Sequence, residues 1–309
     1  MKISVAMATY NGEKYLLEQL NSLRTQTMPI DELIFTDDGS KDNTVALIRK
    51  YIEDYGLSDR WHFYVNEKNL GYADNFHKAM SMCTGDYIFF ADQDDIWMPD
   101  KIELMVKTME EHKEIKMLCC DFEPFASCEN PPVVPQYILE AMDNSGRLEH
   151  LPLVAKNVHI NSLGCLMGMP REFADAAEKY WYSGWAHDEY VWKLAEVMDG
   201  LYVLHKNLIK RRLHENNVTM RKFHTVESRM KYLTELLKSH EATLRCAEDM
   251  GTDAAGIKLL KREITATKTR IDIVGKKKIF KTFKMIGYLD CYHSKKSFLM
   301  EPWLAVKGK

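Results

Sequence analysis

Residues 84–101, TGDYIFFADQDDIWMPDK, place a turn, an apolar run of strand length and three carboxylates in immediate succession. Tyr87 to Ala91 is continuously apolar, as a strand buried on both faces reads. Asp92, Gln93, Asp94 and Asp95 follow at once. Three carboxylates in four residues repel one another unless something cationic neutralises them. At the carboxyl edge of a parallel sheet, where open α/β folds bind ligands, a divalent metal carrying phosphates is the natural neutraliser. Oxygen donors suit manganese or magnesium. Taken alone, the cluster also fits a solvated acidic loop, because surface carboxylates are common.

The context decides between these readings. Ile3–Ala8 reads as a buried strand broken by Thr9-Tyr10-Asn11-Gly12, and a helix follows from about Glu13. Leu33–Thr36 is a second strand, ending in Asp37-Asp38-Gly39-Ser40. Asp42 or Ser40 is placed to cap the next helix. Trp61–Val65 is a third strand, followed by Asn66–Gly71 and a helix through Asn75, Phe76 and Met80. A helix is expected from Pro99 and a fifth strand over Ile115–Cys120. Strands alternating with helices imply βαβ units and a mainly parallel sheet flanked by helices. Three of the strands end in polar or acidic clusters. Neither GxGxxG nor a Walker-type GxxxxGK[ST] occurs, so the common dinucleotide and P-loop fingerprints are missing.

Residues 121–157, interrupted by five prolines from Pro124 to Pro152, are expected to form a loop-rich insertion. Asn161–Met169 reads as a strand, and Trp185–Tyr190 opens a helix. Leu201–Leu204 and Leu208–Leu213 read as two strands, the second ending at His214. From about Thr219 the strand signal disappears. Residues 223–249 and 253–274 carry helical periodicity and predict a hairpin appended to the α/β domain. The expected division is 1–218 and 219–309, and the helices of the second part could pair two copies as a homodimer.

Charge is unevenly spread. Residues 275–309 carry nine Lys and Arg against two Asp and Glu, while the rest of the chain carries 33 against 43. Over 276–300, Lys276–Lys278, Lys281 and Lys284 lie beside Ile279, Phe280, Phe283 and Ile286. That basic amphipathic pattern suits an anionic membrane surface. The overall balance of −3 gives no indication of nucleic acid. Seven cysteines without a CxxC point to neither a disulfide framework nor a zinc site and fit a reducing cytoplasm. The first residues read as a strand rather than a signal peptide, and no apolar run is long enough for a transmembrane helix.

Four motifs in this order resemble the family 2 glycosyltransferases, inverting enzymes of the GT-A fold: SVAMATYNGEKYL; IFTDDGSKDNT; NLGYADNFHKAM with TGDYIFFADQDDIW; and WAHDEYVW with RRLHENN. The resemblance covers residues 1 to about 218, and the DQDDIW form resembles a rhamnosyltransferase-like subset. It implies transfer from a nucleoside-diphosphate sugar, dTDP-rhamnose or a UDP-sugar, to a glycan or lipid-linked glycan in surface polysaccharide synthesis. A cytoplasmic location, peripheral on the inner membrane face, would suit such an acceptor. By the same resemblance Thr9, Tyr10 and Glu13 would border the base and Asp38 would bond base or ribose. Asn69 and Gln93 would lie on the donor side, and Asp92 would face the ribose or the metal's water shell. Asp94 and His214 would hold a divalent metal, with Asp95 a possible substitute. Asp188 would be the general base, and Trp185, His187 and Glu189 would face the acceptor, with Trp181 and Tyr190 as further candidates.

Several of these residues have plainer explanations. Asp37–Ser40 can be a turn and helix cap, His187-Asp188 a helix N-terminus, and the tryptophans ordinary core. Two other functions compete. A sugar-nucleotide pyrophosphorylase would want a Gly-rich basic loop after the first strand, where TYNGEKY offers one Gly and a Glu. A nucleotide-sugar-binding subunit without catalysis would have no need of Asp94, Asp188 and His214 together.

Overall fold

The computed structural model describes residues 1–134, 136–215, 217, 225–292 and 295–307. The chain forms two compact units. The first comprises Met1–Leu151, Ile160–Ala195 and Asp199–Asn217. The second comprises Pro152–His159, Glu196–Met198 and the C-terminal helices. The residues at which the second part is expected to begin, 218–224, lie outside those described.

In the first unit the elements run β1 (Ile3–Thr9), α1 (Glu13–Arg24), β2 (Glu32–Asp37), α2 (Thr44–Asp54), β3 (Trp61–Val65), α3 (Tyr72–Met82), β4 (Tyr87–Ala91), β5 (Ile96–Trp97), α4 (Lys101–Glu111) and β6 (Met117–Ala126). They continue with α5 (Gln136–Ala141), β7 (Leu148–His150), β8 (Met167–Pro170), α6 (Arg171–Glu178), α7 (His187–Val197) and β9 (Leu201–Leu213). The strand order is β3-β2-β1-β4-β8-β6-β9-β5, with β7 paired to β9. From β3 through β4 every pairing is parallel, as is β6 with β9. β8 runs antiparallel to both neighbours. The chain leaves β6 at its carboxyl end and re-enters β8 from that same edge, so no crossover is needed. Burial explains the apolar strands: Val5, Met7, Phe35, Phe89 and Phe90 are inaccessible to solvent. Because β1, β2, β4, β6 and β9 share one direction, the residues that follow them emerge at one carboxyl edge.

One strand is added and two local expectations are corrected. A short strand, β5, precedes Pro99, pairing Ile96 and Trp97 with Lys210 and Ile209, and the helix expected after Pro99 is α4, which starts after Asp100. Asn161–Met169 is a strand only from Met167, since residues 164–166 form a 3₁₀ turn. The two strands expected over 201–213 are one. Register shifts between Cys120 and Asp121 and between Asp121 and Phe122 absorb His205, Lys206 and Leu208 as bulges, with Asn207 paired to Asp121.

In the second unit, α8 (Val226–Asp249) and α9 (Ala254–Gly275) form a hairpin. Thr225 and Ser228 make a capping box on α8, and Asp253 caps α9 by accepting from Gly256 N–H at 2.7 Å. After α9 come a 3₁₀ turn at Ile279–Lys281, α10 (Thr282–Met285), a second 3₁₀ stretch at Ile286–Cys291 and α11 (Lys295–Lys307). Glu301 of α11 is fully buried. It accepts from Arg229 of α8 at 2.6 Å, from Arg270 of α9 at 2.9 Å and from the Tyr292 hydroxyl at 3.1 Å, tying three helices together.

Candidate active site at the sheet's carboxyl edge

The loop after β1 and the acid motif after β4 are clasped together. Gln93 Oε1 accepts from Tyr10 N–H at 3.0 Å, and Gln93 Nε2 donates to the Tyr10 carbonyl at 3.1 Å. Gly12 is needed here for space, since a Cβ would fall 2.3 Å from Gln93 Oε1. Tyr10 keeps its ring half exposed above this clasp. Thr9 is buried, and its hydroxyl donates to Asp37 Oδ2 at 2.8 Å. Glu13 reaches the β2–α2 loop, accepting from Asn43 N–H at 3.0 Å and Asn43 Nδ2 at 2.7 Å.

Asp37 and Asp38 divide differently from the expectation. Asp37 is turned inward and holds the loop, also accepting from Gly39 N–H and from Ser40 N–H and hydroxyl. Asp38 is also buried. Its carboxylate accepts from Leu70 N–H and Gly71 N–H, each at 2.8 Å, and from Asn66 Nδ2 at 2.9 Å. Asn69 donates to the Asp38 carbonyl at 3.0 Å. These bonds bring Asp38 and Asn69 together as the brace of the β3–α3 loop. Among the expected caps, Asp42 accepts from Thr44 N–H at 3.0 Å, whereas Ser40 does not cap α2.

The three carboxylates separate into two arrangements. Asp94 Oδ2 lies 2.7 Å from His214 Nε2, and the Asp94 carbonyl accepts from Arg212 Nε at 2.8 Å. Asp95 is buried. Its Oδ1 accepts from Arg212 N–H at 3.0 Å, while its Oδ2 has no conventional hydrogen-bond partner and lies beside the Cys165 thiol. Asp92, half-buried, completes a group in which one atom each of Asp92, Asp95 and Cys165 lie within 4.8 Å of one another. Burial, then the Asp95 and Asp94 charges, pushes Asp92 well above the usual carboxylate range, with Arg211 opposing. Burial and Asp94 raise Asp95 to about 6. Crowded acids with an unpaired buried oxygen fit a hard divalent cation, and the oxygen donors and His214 suit manganese or magnesium better than the thiol does.

Asp188 sits in the first turn of α7, half-buried, with Oδ1 accepting from Glu189 N–H at 2.8 Å. Burial raises its carboxyl to about 6. His187 is not an acceptor contact. It is buried, stacked on Phe76 at 3.9 Å and edge-on to Phe90 at 4.8 Å, with burial lowering its ring to about 3. That packing sets the start of α7 against β4, two residues before Asp92. Trp185 is likewise corrected to core: it is buried, stacked on Tyr182 at 4.9 Å and edge-on to Tyr190 at 5.3 Å. Tyr190 is buried too, and Trp181 stacks on His77 at 3.5 Å. Glu189 Oε1 pairs with the buried Lys193 at 2.6 Å.

Sequence reasoning missed the cations. Arg212 lies between the rings of Tyr15 and Phe125, at 4.4 and 4.6 Å, and also bonds Glu18 at 2.8 Å. Lys101 is fully buried beneath the motif, donating to the Cys165 carbonyl at 2.9 Å and lying 3.5 Å from the Trp97 ring. Three consecutive cations, Lys210, Arg211 and Arg212, inside the strand-like stretch Leu208–Leu213 were the available signal.

Comparison with known proteins agrees with this architecture. Residues 4–131 match the family described as Glycosyl transferase family 2. EpsE of Bacillus subtilis (strain 168), named as a putative glycosyltransferase, is 35% identical over 117 residues, which are 38% of this chain and 41% of EpsE. Chondroitin synthase of Escherichia coli is 32% identical over 117 residues, 38% of this chain and 16% of that protein. The matches thus span well under two thirds of these relatives' own lengths. The crystal structure of S. aureus TarS 1-349 in complex with UDP-GlcNAc superposes with a TM-score of 0.63 at 17% identity, covering 100% of this chain and 93% of that one. With the motif order, the matched family and the shared fold in agreement, residues 4–131 match a family 2 glycosyltransferase domain, within a chain that has the GT-A type fold of TarS.

Proposed function

We propose that this protein transfers a sugar from a nucleoside-diphosphate donor to a hydroxyl of a glycan, or of a lipid-linked glycan, in polysaccharide synthesis, with inversion at the anomeric carbon. The observation that carries this reading is the clustering of Asp92, Asp94, Asp95 and His214 beside the Tyr10–Gln93 clasp at one sheet edge. The half-exposed Tyr10 ring is a platform on which a base can stack, and Gln93 holds that platform to the acid motif. Asp94 and His214, with Asp92 or Asp95, would hold a manganese or magnesium ion. When bound, such an ion stabilises negative charge on the departing diphosphate. Asp188, ionised, takes the acceptor's proton, a contribution of roughly 10²–10⁴-fold. A hydroxyl proton leaves late, so a carboxylate titrating at about 6 is a sufficient base at neutral pH.

The donor is a UDP- or dTDP-sugar, dTDP-rhamnose among them. The structurally similar TarS binds UDP-GlcNAc in its crystal complex, which supports a donor of this class. No described helix is long and apolar enough to cross a membrane. A peripheral place on the cytoplasmic face, and pairing of two copies through the C-terminal helices, complete the proposal. Hydrolysis and transfer measured with manganese over a panel of UDP- and dTDP-sugars test it. Turnover of one donor by the wild type, abolished in Asp188→Asn, supports the reading. No binding of any donor, with Asp94→Ala behaving as wild type, ends it.

A further inference from the structure

In the segment after α9, Phe280, Phe283, Ile286 and Leu289 recur at every third residue, and all four are exposed. In 3₁₀ and short helical turns, side chains three apart line up along one edge. Phe280 and Phe283 present 70% and 79% of their surface to solvent, whereas Met285 and Cys291 of the same segment are fully buried against α9 and α11. The segment is therefore folded, with its inner residues packed and its largest apolar side chains turned outward. α11 repeats the arrangement. Leu299, Trp303 and Val306 fall at i, i+4 and i+7, on one helical face, and are 67%, 52% and 67% exposed. Glu301, on another side of that helix, is the buried anchor to Arg229 and Arg270.

The charges around these side chains are predominantly positive. Asp272 takes up Lys276 and Lys281 in ion pairs. Lys277 and Lys284 remain exposed, with Lys278 half-exposed next to them. Lys307 lies 5.1 Å from the Trp303 ring, a cation beside an aromatic of the kind found at a lipid interface. Within residues 275–309 the sequence sets nine basic side chains against two acids, Asp290 and Glu301, and both acids are bound to arginines.

We infer that this unit docks on an anionic lipid bilayer, with Phe280, Phe283 and Trp303 entering the headgroup region and Lys277, Lys278 and Lys284 facing the lipid phosphates. Large exposed aromatics within a basic field match an interfacial anchor, which needs apolar insertion and charge attraction together. The inference stands apart from the transfer reaction and survives its failure.

The test is flotation of the full chain with vesicles of phosphatidylcholine, with and without phosphatidylglycerol. Wild type is expected to float with the anionic vesicles and to be released by high salt. Phe280→Ser with Phe283→Ser, and separately Lys277→Ser with Lys278→Ser and Lys284→Ser, should each lower the bound fraction at least roughly tenfold. These side chains are exposed, so thermal melts of the variants should match wild type. Equal binding by wild type and both variants overturns the inference, as does no binding to anionic vesicles. A self-association in sedimentation that the phenylalanine variants dissolve, without vesicle binding, assigns the face to a second copy and overturns it equally.

Discussion

His214 Nε2 lies 2.7 Å from Asp94 Oδ2, although 120 residues separate the two in the chain. β9 makes this possible. It runs parallel to β6 across the sheet, so its last residue delivers His214 to the edge where β4 delivers the acid motif. If both side chains hold a divalent ion, their removal should cost more than the 10–100-fold typical of groups that merely support a ligand. Asp94→Ala and His214→Ala are each expected to weaken manganese-dependent binding of UDP or dTDP by about a hundredfold or more, and chelation should do the same to wild type. Calorimetric titration measures this. Undiminished affinity in both variants would remove Asp94 and His214 from the metal site.

Asp188 links activity to pH and to stability. Burial raises its carboxyl to about 6, so the base form is lost as pH falls through that value. The acid limb of kcat is therefore expected near pH 6, and Asp188→Asn should remove turnover while leaving donor affinity near wild type. The sign for stability is opposite. A carboxyl raised in the folded state is ionised at a cost above its unfolded value. The cost is only about 0.5 kcal/mol at pH 4 and reaches about 3 kcal/mol above pH 6. Asp188→Asn should melt several degrees higher than wild type at pH 7.5 and show little gain at pH 4. An unchanged melting temperature at both values contradicts the buried base.

Gly164 supplies the space that His187 occupies. A Cβ at that position would fall 2.2 Å from His187 Nε2. The ring is held between Phe76 and Phe90, so it cannot yield without moving the first turn of α7 and Asp188 with it. Gly164→Ala is expected to lower kcat at least about tenfold, since a misplacement of about 1 Å can cost a hundredfold. The donor's KM should change little. A raised donor KM with kcat intact would place the damage at the nucleotide side instead.

The strands and their acidic ends were legible because both signals are local: apolar runs mark the strands, and Asp and Asn clusters mark their carboxyl ends. The same holds for the hairpin of α8 and α9. What the sequence left open depends on residues that arrive from afar. Arg212 reaches Asp94 and Asp95 from 118 and 117 positions away. Nothing near Asp92 foretells that Cys165 and Lys101 close the motif from beneath. Trp185 and His187 were misassigned for a different reason: an aromatic beside a catalytic acid reads identically whether it faces a sugar or, as here, stacks on Tyr182 or Phe76.

Glu32 provides the counterpart to Asp188 at the opposite end of the sheet. Its carboxylate accepts from the Ser4 hydroxyl at 2.5 Å, Thr84 N–H at 2.6 Å, the Thr84 hydroxyl at 2.7 Å and Lys2 Nζ at 2.9 Å. It thereby joins the starts of β1 and β2 to the turn before β4. Burial works to raise its carboxyl, but the bonds from Ser4, Thr84 and Lys2 prevail and hold it down to about 2. A depressed carboxylate contributes stability above its unfolded value that is lost as pH falls through the folded one. The contribution, about 3 kcal/mol, should be complete above pH 5 and disappear progressively towards pH 2. Glu32→Gln turns an amide N–H₂ towards two of these four donors and removes the charge facing Lys2, so it is expected to destabilise by about 2–4 kcal/mol at pH 7. The same kind of substitution thus stabilises at Asp188 and destabilises at Glu32. Urea titrations of the two variants at pH 7.5 check the pair, and shifts of the same sign would refute the electrostatic account of one of them.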